Sequence, residues 1–298
     1  MEASGSSSFA TVAATSTMKD LTDTTKERTI GCKHEASREQ ATGYNGILEC
    51  STCKNVYPYK EDCYWDLTLG SGCTGYSKST TPYANMFRTA LVSFFYERGW
   101  RQSFALGGFP GPCKEFEHAK DFLKPVTGGV IIDASCGTGP FSRLFIKSKL
   151  YSQVVALDFS ENMLKQCNKF MKEEMISDKQ QMMVKADISR LPFTSNSIDA
   201  IHAGAALHSW PSPANAVAEI SRVLRPGGIL VASTFMFDVV PLAIPALRIV
   251  RKYVSQYLGY NTFLSEDELE GLCKACGLVD FKCVRKGLYI MLSATKAT

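Results

Sequence analysis

The sequence predicts an α/β protein built on a Rossmann-like parallel sheet, and three observations support this fold class. The apolar run Val130-Ile-Ile-Asp133 ends in a carboxylate and precedes a turn that contains Gly137 and Gly139. A second apolar run ends at Asp158, nineteen residues after Gly139. Strand-like and helix-like segments then alternate toward the end of the chain. Such alternation is typical of parallel strands joined by helices, and it predicts a ligand crevice at the carboxyl ends of the strands.

Composition limits the functional classes. The chain has 298 residues, of which 45% are hydrophobic, enough for one α/β domain and a smaller appendage. A formal net charge of +4 shows no strong basic excess, so nucleic acid is not favoured as a partner. No apolar run approaches the roughly 20 residues that a membrane span needs. We therefore expect a small-molecule substrate and no membrane span; the sequence indicates no oligomeric state.

The cysteine count and the first residues bear on location. Eleven cysteines, an odd number without a secretory signal, indicate free thiols in a reducing compartment. Residues 1–29 are rich in Ser, Thr and Ala and predict a disordered leader. A plastid transit peptide usually has early basic residues, whereas the first arginine here is Arg28. We predict a cytoplasmic protein, with a plastid location as the alternative.

Residues 30–68 are similar to a zinc ribbon with one intact knuckle. Cys50 and Cys53 have the spacing that allows two thiolates to bind one zinc ion, and Cys32 with His34 would complete a set of four ligands. A second C-x-x-C pair is missing, because position 35 is Glu35. The alternative is a metal-free segment held by aromatic packing. Neither interpretation places chemistry here.

Residues 78–112 are predicted to form a helical lid or linker ahead of the main domain, residues 113–298. Residues 81–101 have the pattern of an aromatic-rich helix, with Pro82 near its start and Gly99 past its end. Its aromatic side chains would either line a substrate pocket or form ordinary core. A segment that precedes the first strand of the crevice is well placed to cover a cofactor.

The elements of the main domain follow in order. Ser160 is a candidate N-cap, and Ser265 begins a capping box with Glu268. The predicted helices are residues 115–123, 141–149, 161–170, 214–224 and a final one that ends at Gly277. After the two strands that end at Asp133 and Asp158, the predicted strands are residues 182–187, 197–204, 229–234, 281–284 and 288–294, the last two antiparallel.

The nucleotide can be inferred from what the turn lacks. A dinucleotide site has a third glycine three residues after the second, but Ser142 occupies that position. A pyrophosphate is therefore disfavoured. An acid four positions before the first glycine, as Asp133 stands before Gly137, is usual for S-adenosylmethionine. The carboxylate of Asp158 is spaced to accept hydrogen bonds from a ribose.

Residues 115–298 resemble the class I S-adenosylmethionine-dependent methyltransferases of type 11, which include the ubiquinone and menaquinone methyltransferases. The resemblance is closest to a plant family of mostly plastid-assigned methyltransferases. It implies a seven-stranded sheet. That family usually has a transit peptide and two C-x-x-C knuckles. This chain differs on both, with a short leader and with Glu35 in place of a cysteine. The matching blocks are residues 156–167, 186–193, 202–213 and 219–228.

The resemblance also implies a set of cofactor-binding residues. The loop would contact the methionine part, Asp158 and its neighbour the ribose, and the acid after the third strand the adenine. Small residues after the fourth strand would border the methionine chain, which lets the sulfonium reach the substrate. Each carboxylate also has a purely structural alternative at a strand end or helix cap. The implied residues are Asp133, Ser135, Gly137, Gly139, Asp158, Phe159, Asp187, Ile188, Ala203 and Gly204.

His208 and His202 are the candidate general bases, because they lie at the end of the fourth strand and beyond it. A base is needed only for a poor nucleophile, and both histidines also have a structural interpretation. Residues 80–112 and 235–263 would select the acceptor. The leading hypothesis is a methyltransferase acting on a lipophilic or specialised plant metabolite. The alternatives are an RNA base methyltransferase and a protein that binds S-adenosylmethionine but catalyses a non-methylating reaction.

Overall fold

The computed structural model describes residues 34–36, 47–50, 56–61, 63–68, 89–176, 181–236 and 264–298. Within these residues, eleven strands form one sheet in the order β1-β2-β3-β4-β7-β6-β5-β8-β9-β11-β10. In chain order the strands are β1 His34–Ala36, β2 Ile47–Cys50, β3 Val56–Lys60, β4 Tyr64–Asp66, β5 Val130–Ala134, β6 Gln153–Asp158, β7 Gln181–Lys185, β8 Ile198–Ala203, β9 Leu224–Phe235, β10 Leu278–Lys286 and β11 Tyr289–Lys296.

The central part of the sheet confirms the predicted Rossmann-like fold. Strands β7, β6, β5, β8 and β9 are parallel neighbours, and β11 lies antiparallel between β9 and β10. The chain runs outward from β5 to β7 and then returns to β8 on the other side. This reversal places a crevice at the carboxyl ends of β5 and β8, where ligands bind in such sheets.

The helices follow the predicted alternation. Ser160 caps α4, because its side chain accepts from the N–H of Met163, and the capping box of Ser265 with Glu268 begins α6. Both caps were predicted from the sequence. The α-helices are α1 Ala90–Phe95, α2 Pro112–Leu123, α3 Pro140–Ser148, α4 Glu161–Glu173, α5 Pro213–Val223 and α6 Glu266–Ala275.

The described N-terminal strands extend the main sheet. Strands β1 to β4 pair antiparallel in sequence order, and β4 pairs in parallel with β7 through Trp65 and Val184. Cys63, in the turn before β4, is buried against α4, where its thiol lies 3.6 Å from the carbonyl oxygen of Leu164. The predicted leader and the ligands Cys32 and Cys53 lie outside the described residues. Among the described helices, none is both long and apolar enough to cross a membrane.

The lid segment differs from the single helix predicted for residues 81–101. Residues 81–88 lie outside the described residues. The α-helix α1 ends at Phe95, and the chain continues as a π-helical turn, Tyr96–Trp100, and a 3₁₀ segment, Arg101–Gly107. The change of helix type turns the side chains of residues 96, 97 and 101 toward the main domain. Aromatic periodicity alone did not reveal this change.

Candidate active site

The glycine-rich loop connects β5 to α3 at the centre of the crevice. Gly137 and Gly139 have φ values of 58° and 80°, a left-handed conformation that favours glycine. Gly139 is also the N-cap of α3, and a Cβ there would overlap the thiol of Cys167. The predicted turn therefore requires glycine for its backbone angle and, at residue 139, for space.

Asp158 joins this loop to the end of β6. Its carboxylate accepts the N–H of Gly137 at 2.8 Å and the N–H of Ser160 at 2.7 Å. Burial raises the pKa of Asp158 to about 6, although these two backbone donors oppose the shift. The residue as a whole is half-buried at the edge of the crevice.

Asp187 lies beside Asp158 at the same edge of the sheet. The N–H of Ala186 donates to the carbonyl oxygen of Asp158 at 3.2 Å, which brings the ends of β6 and β7 together. One Asp187 oxygen accepts from the N–H of Ser189 at 2.9 Å, and Ile188 is buried next to it. The structure therefore brings the predicted ribose and adenine residues together on neighbouring strand ends.

Asp133 is buried beneath the glycine-rich loop. It is 1% exposed, and its carboxylate accepts from the hydroxyl of Ser142 at 2.5 Å and contacts Nδ1 of His202 at 2.9 Å. His202 is fully buried, with its ring against Phe141 at 4.4 Å. These two predicted site residues thus form a buried pair beneath the crevice, where they support the loop and α3. Their contacts suit a positioning role.

Ser135 has a side chain at a point where the backbone of the loop is left-handed. Its φ is 57°, a strained value for a residue with a side chain. Its hydroxyl accepts from the indole N–H of Trp210 at 2.9 Å. The hydrogen bond links the glycine-rich loop to the loop after β8.

The end of β8 supplies the small residues. Ala203 is buried, and a Cβ on Gly204 would overlap the ring of Phe141. Ala205 has a φ of 53°, and its N–H donates to the hydroxyl of Ser233 at 2.8 Å. This backbone passes close to α3, and larger side chains at Gly204 would displace it.

His208 lies on the 3₁₀ turn Leu207–Ser209. It is 5% exposed, and its Nδ1 lies 3.1 Å from the hydroxyl of Thr234. Burial lowers the pKa of His208 to about 4, so the imidazole is neutral at physiological pH. The ring of Phe235 lies 5.1 Å from the imidazole, and it also packs on Phe109 of the lid, at 4.5 Å.

The buried His208 makes stability depend on pH. In the unfolded chain the imidazole is protonated below about pH 6.5, whereas in the fold it stays neutral down to about pH 4. The unfolded state therefore binds more protons in that window, and the contribution of His208 to stability is lost as pH falls through it. We expect the free energy of unfolding of the wild type, relative to that of His208→Gln, to fall by about 2 kcal/mol from pH 7 to pH 4.5. Urea unfolding at pH 7 and at pH 4.5 measures the free energy of unfolding of both proteins. A difference between the two proteins that does not change with pH would contradict this prediction.

The lid adds residues that sequence reasoning missed. A Cβ on Gly137 would lie 3.6 Å from the ring of Tyr96, so this tyrosine covers the loop. Glu97 accepts from the hydroxyl of Thr138 at 2.5 Å and from Nη2 of Arg143 at 2.8 Å. Nε of Arg143 also contacts a carboxylate oxygen of Glu174 at 2.9 Å. Ion pairs and a hydroxyl contact therefore attach the lid directly to the glycine-rich loop and α3.

Metal binding has no support within the described residues, where no group of three or more His, Cys, Asp and Glu side chains is arranged to hold an ion. The predicted ligands Cys32 and Cys53 lie outside those residues. His34 and Cys50 are described only as strand residues of β1 and β2. The zinc site stays a prediction.

The crevice fits S-adenosylmethionine. Its loop has no Cβ at the two turn positions, and the half-buried Asp158 and Asp187 lie at its edge. Beneath the lid, Nε of Arg101 is a buried donor without a partner. A ligand with a ribose, an amino-bearing base and a carboxylate matches these groups.

Comparison with known proteins agrees with this geometry. Residues 132–232 match the model of the methyltransferase domain family. An uncharacterized methyltransferase of Arabidopsis thaliana, described as chloroplastic, is 59% identical over 251 residues, which cover 84% of this chain and 70% of that protein. The demethylmenaquinone methyltransferase of Staphylococcus epidermidis is 28% identical over 202 residues, 67% of this chain and 75% of that protein.

A solved structure shows the same fold. Phosphoethanolamine N-methyltransferase 2 of Haemonchus contortus, in complex with S-adenosyl-L-methionine, superposes with a TM-score of 0.54 at 18% identity. The match covers 75% of this chain and 62% of that protein. Together with the sheet order, the glycine-rich loop and the 59% identical relative, these matches show that the chain belongs to the class I S-adenosylmethionine-dependent methyltransferases of type 11.

Proposed function

We propose that this methyltransferase transfers the methyl group of S-adenosylmethionine to a lipophilic small molecule. The observation that supports the proposal is the cluster of apolar side chains around His208. Trp210 and Met236 are buried beside the loop after β8, and Phe235 joins His208 to the lid residues Phe104 and Phe109. An acceptor that approaches His208 would meet these aromatic and aliphatic side chains, which favours an apolar body.

The cofactor would lie across the carboxyl ends of β5, β6 and β7. In this arrangement Ser135, Gly137 and Gly139 border the methionine part, and Asp158 accepts from the ribose hydroxyls. Asp187 accepts from the adenine amino group while Ile188 packs on the ring. Asp133 supports the loop from below through Ser142. Phe159 lies next to Asp158, and Ala203 with Gly204 leaves space for the sulfur.

The sulfonium supplies an already activated methyl group, so the protein contributes alignment and the exclusion of water. Trp210 and the lid residues Phe104 and Phe109 would exclude water around His208. His208 would act as the base for a hydroxyl acceptor: when Nδ1 donates to Thr234, Nε2 is the nitrogen that accepts the proton. His202 acts as a positioning residue, because its contact with Asp133 orients the support beneath the loop.

The role of His208 gives an activity prediction. We expect His208→Gln to lower kcat by about 100-fold for a hydroxyl acceptor and to leave the affinity for S-adenosylhomocysteine unchanged. Single-turnover methyl transfer and calorimetric titration measure the two quantities separately. Equal activity of variant and wild type would assign His208 a structural role.

The comparisons support a small-molecule acceptor. The 28% identical bacterial relative is a demethylmenaquinone methyltransferase, and a 34% identical fungal relative from Gibberella zeae is a sterol 24-C-methyltransferase. The modest net charge of +4 does not favour an RNA substrate. We also propose a plastid location, because the 59% identical plant relative is described as chloroplastic; the predicted cytoplasmic location has no such support.

An activity assay tests the proposed function. Purified protein is mixed with S-adenosylmethionine and a plant metabolite extract, and both S-adenosylhomocysteine and new metabolite masses are followed. We expect S-adenosylhomocysteine together with a metabolite heavier by one methylene unit. Methyl transfer only to RNA, or a product of unchanged mass, would contradict a small-molecule methyl acceptor.

A further inference from the structure

We infer that Arg101 binds the carboxylate at the amino-acid end of S-adenosylmethionine. This assignment rests on the proposed placement of the cofactor and adds a residue outside the glycine-rich loop. It makes the lid part of the cofactor site, because Arg101 begins the 3₁₀ segment Arg101–Gly107.

Arg101 is a buried cation. Its side chain is 8% exposed, and the guanidinium lies 5.0 Å from the centroid of the Phe141 ring. Burial of an arginine in this way is costly unless an anion and hydrogen-bond acceptors surround it. The buried guanidinium of Arg101 therefore needs an anionic partner.

The described partner compensates for this charge only in part. Nη2 of Arg101 lies 3.3 Å from one oxygen of Glu115, a long contact for a charged pair, and the other oxygen accepts from Ser233 at 3.3 Å. Burial raises the pKa of Glu115, which favours its neutral form and weakens the pair. Nε of Arg101 is buried without a hydrogen-bond partner.

The neighbouring Arg143 shows how a buried arginine in this region can be fully paired. Arg143 donates to both carboxylate oxygens of Glu97, to the carbonyl oxygen of Thr138 and to Glu174. Burial by itself therefore does not prevent an arginine in this region from being fully paired. Arg101 differs because its Nε has no acceptor, and because the raised pKa of Glu115 weakens the ion pair between the two residues.

Arg101 lies at the correct end of the crevice. Tyr96 lies 3.6 Å from the position that a Cβ on Gly137 would take. Burial raises the pKa of this tyrosine, and the charge and hydrogen bond of Arg101 oppose that shift. Tyr96 thus contacts both the guanidinium and the loop that would border the methionine part. Phe141, beneath the guanidinium, also borders Gly204. An anion over the loop would be within reach of a small movement of Arg101.

The test uses a pair of ligands that differ by one carboxylate. S-adenosylhomocysteine has the group, and its decarboxylated analogue, S-adenosyl-3-thiopropylamine, keeps the adenosine, sulfur and ammonium but lacks it. Calorimetric titration of both ligands gives a carboxylate preference for each protein. We expect a preference of about 100-fold in wild type and of about threefold in Arg101→Gln.

Two further variants sharpen the result. Arg101→Lys keeps the charge but not the planar fork, and we expect a preference of about tenfold. Arg98→Gln is the matched control, since Arg98 is an exposed lid arginine that stacks on Phe94 at 4.2 Å, and it should keep the wild-type preference. If Arg101→Gln does not fold, as judged by circular dichroism, Arg101→Lys decides the question.

The outcomes separate this assignment from the proposed function. A wild-type preference that survives unchanged in Arg101→Gln or Arg101→Lys would overturn the role of Arg101, and a buried water would then satisfy Nε. The methyltransferase site would stand in that case. A wild-type protein that binds neither ligand would overturn both the cofactor placement and the assignment of Arg101.

Discussion

Replacing Gly139 by alanine is expected to weaken S-adenosylhomocysteine binding by about 100-fold and to lower the free energy of unfolding by about 3 kcal/mol. The φ of 80° is strained for alanine, and the new Cβ would overlap the thiol of Cys167 on α4. The loop must then move away from α4, which also displaces Gly137 and its hydrogen bond to Asp158. Calorimetric titration and urea unfolding measure the two effects.

A matched variant separates strain from overlap. Gly128 has a φ of 87°, but a Cβ there would meet nothing within 4 Å, so Gly128→Ala tests the backbone angle alone. We expect it to cost about 1 kcal/mol of stability and no ligand affinity. Adding Cys167→Ala to Gly139→Ala removes the overlapping sulfur and should restore at least part of the binding. Equal losses in Gly128→Ala and Gly139→Ala would contradict the steric account.

Replacing Asp158 by asparagine is expected to lower the affinity for S-adenosylhomocysteine by about 100-fold at pH 7.5. The carboxylate accepts two backbone N–H groups, on different oxygens. Asparagine has one acceptor oxygen, so its amide N–H₂ would face either Gly137 or Ser160 as a second donor. Ribose hydroxyls would also lose a charged acceptor. Asp280→Asn, on the exposed surface of β10, is the control and should bind as wild type.

The pH dependence of binding provides a second readout at Asp158. Its pKa is raised to about 6 in the free protein, and ribose hydroxyls donate best to the ionised form. Affinity should therefore be constant above about pH 6 and fall by about tenfold per pH unit below it. Asp158→Asn should remove this dependence. Wild-type affinity that is independent of pH between 4.5 and 7.5 would contradict the contact with Asp158.

The local parts of the site could be predicted from the sequence. The turn with Gly137 and Gly139 and the acid that ends β6 depend on short-range spacing, so their patterns are visible in the chain itself. The caps at Ser160 and Ser265 are also local, and both are present. These elements depend on neighbouring residues, which a single sequence displays.

The contacts between distant segments could not be predicted. Asp133 and His202 are partners in the register of β5 and β8, a pairing that nothing in the local sequence around either residue indicates. Tyr96 and Glu97 reach the loop, and Arg101 reaches Glu115, only because the helix changes type after Phe95. The aromatic pattern of residues 81–101 continues past that point and hides the change. The parallel pairing of β4 with β7 likewise depends on tertiary packing.

The crystal structure of the complex with S-adenosylhomocysteine is the most direct test of the proposed site. We predict electron density across the carboxyl ends of β5, β6 and β7, with the ribose hydroxyls on Asp158 and the adenine near Asp187. The sulfur should lie beside Gly204, on the side that faces the apolar side chains around His208. A ligand bound elsewhere, or one whose ribose does not contact Asp158, would contradict the account.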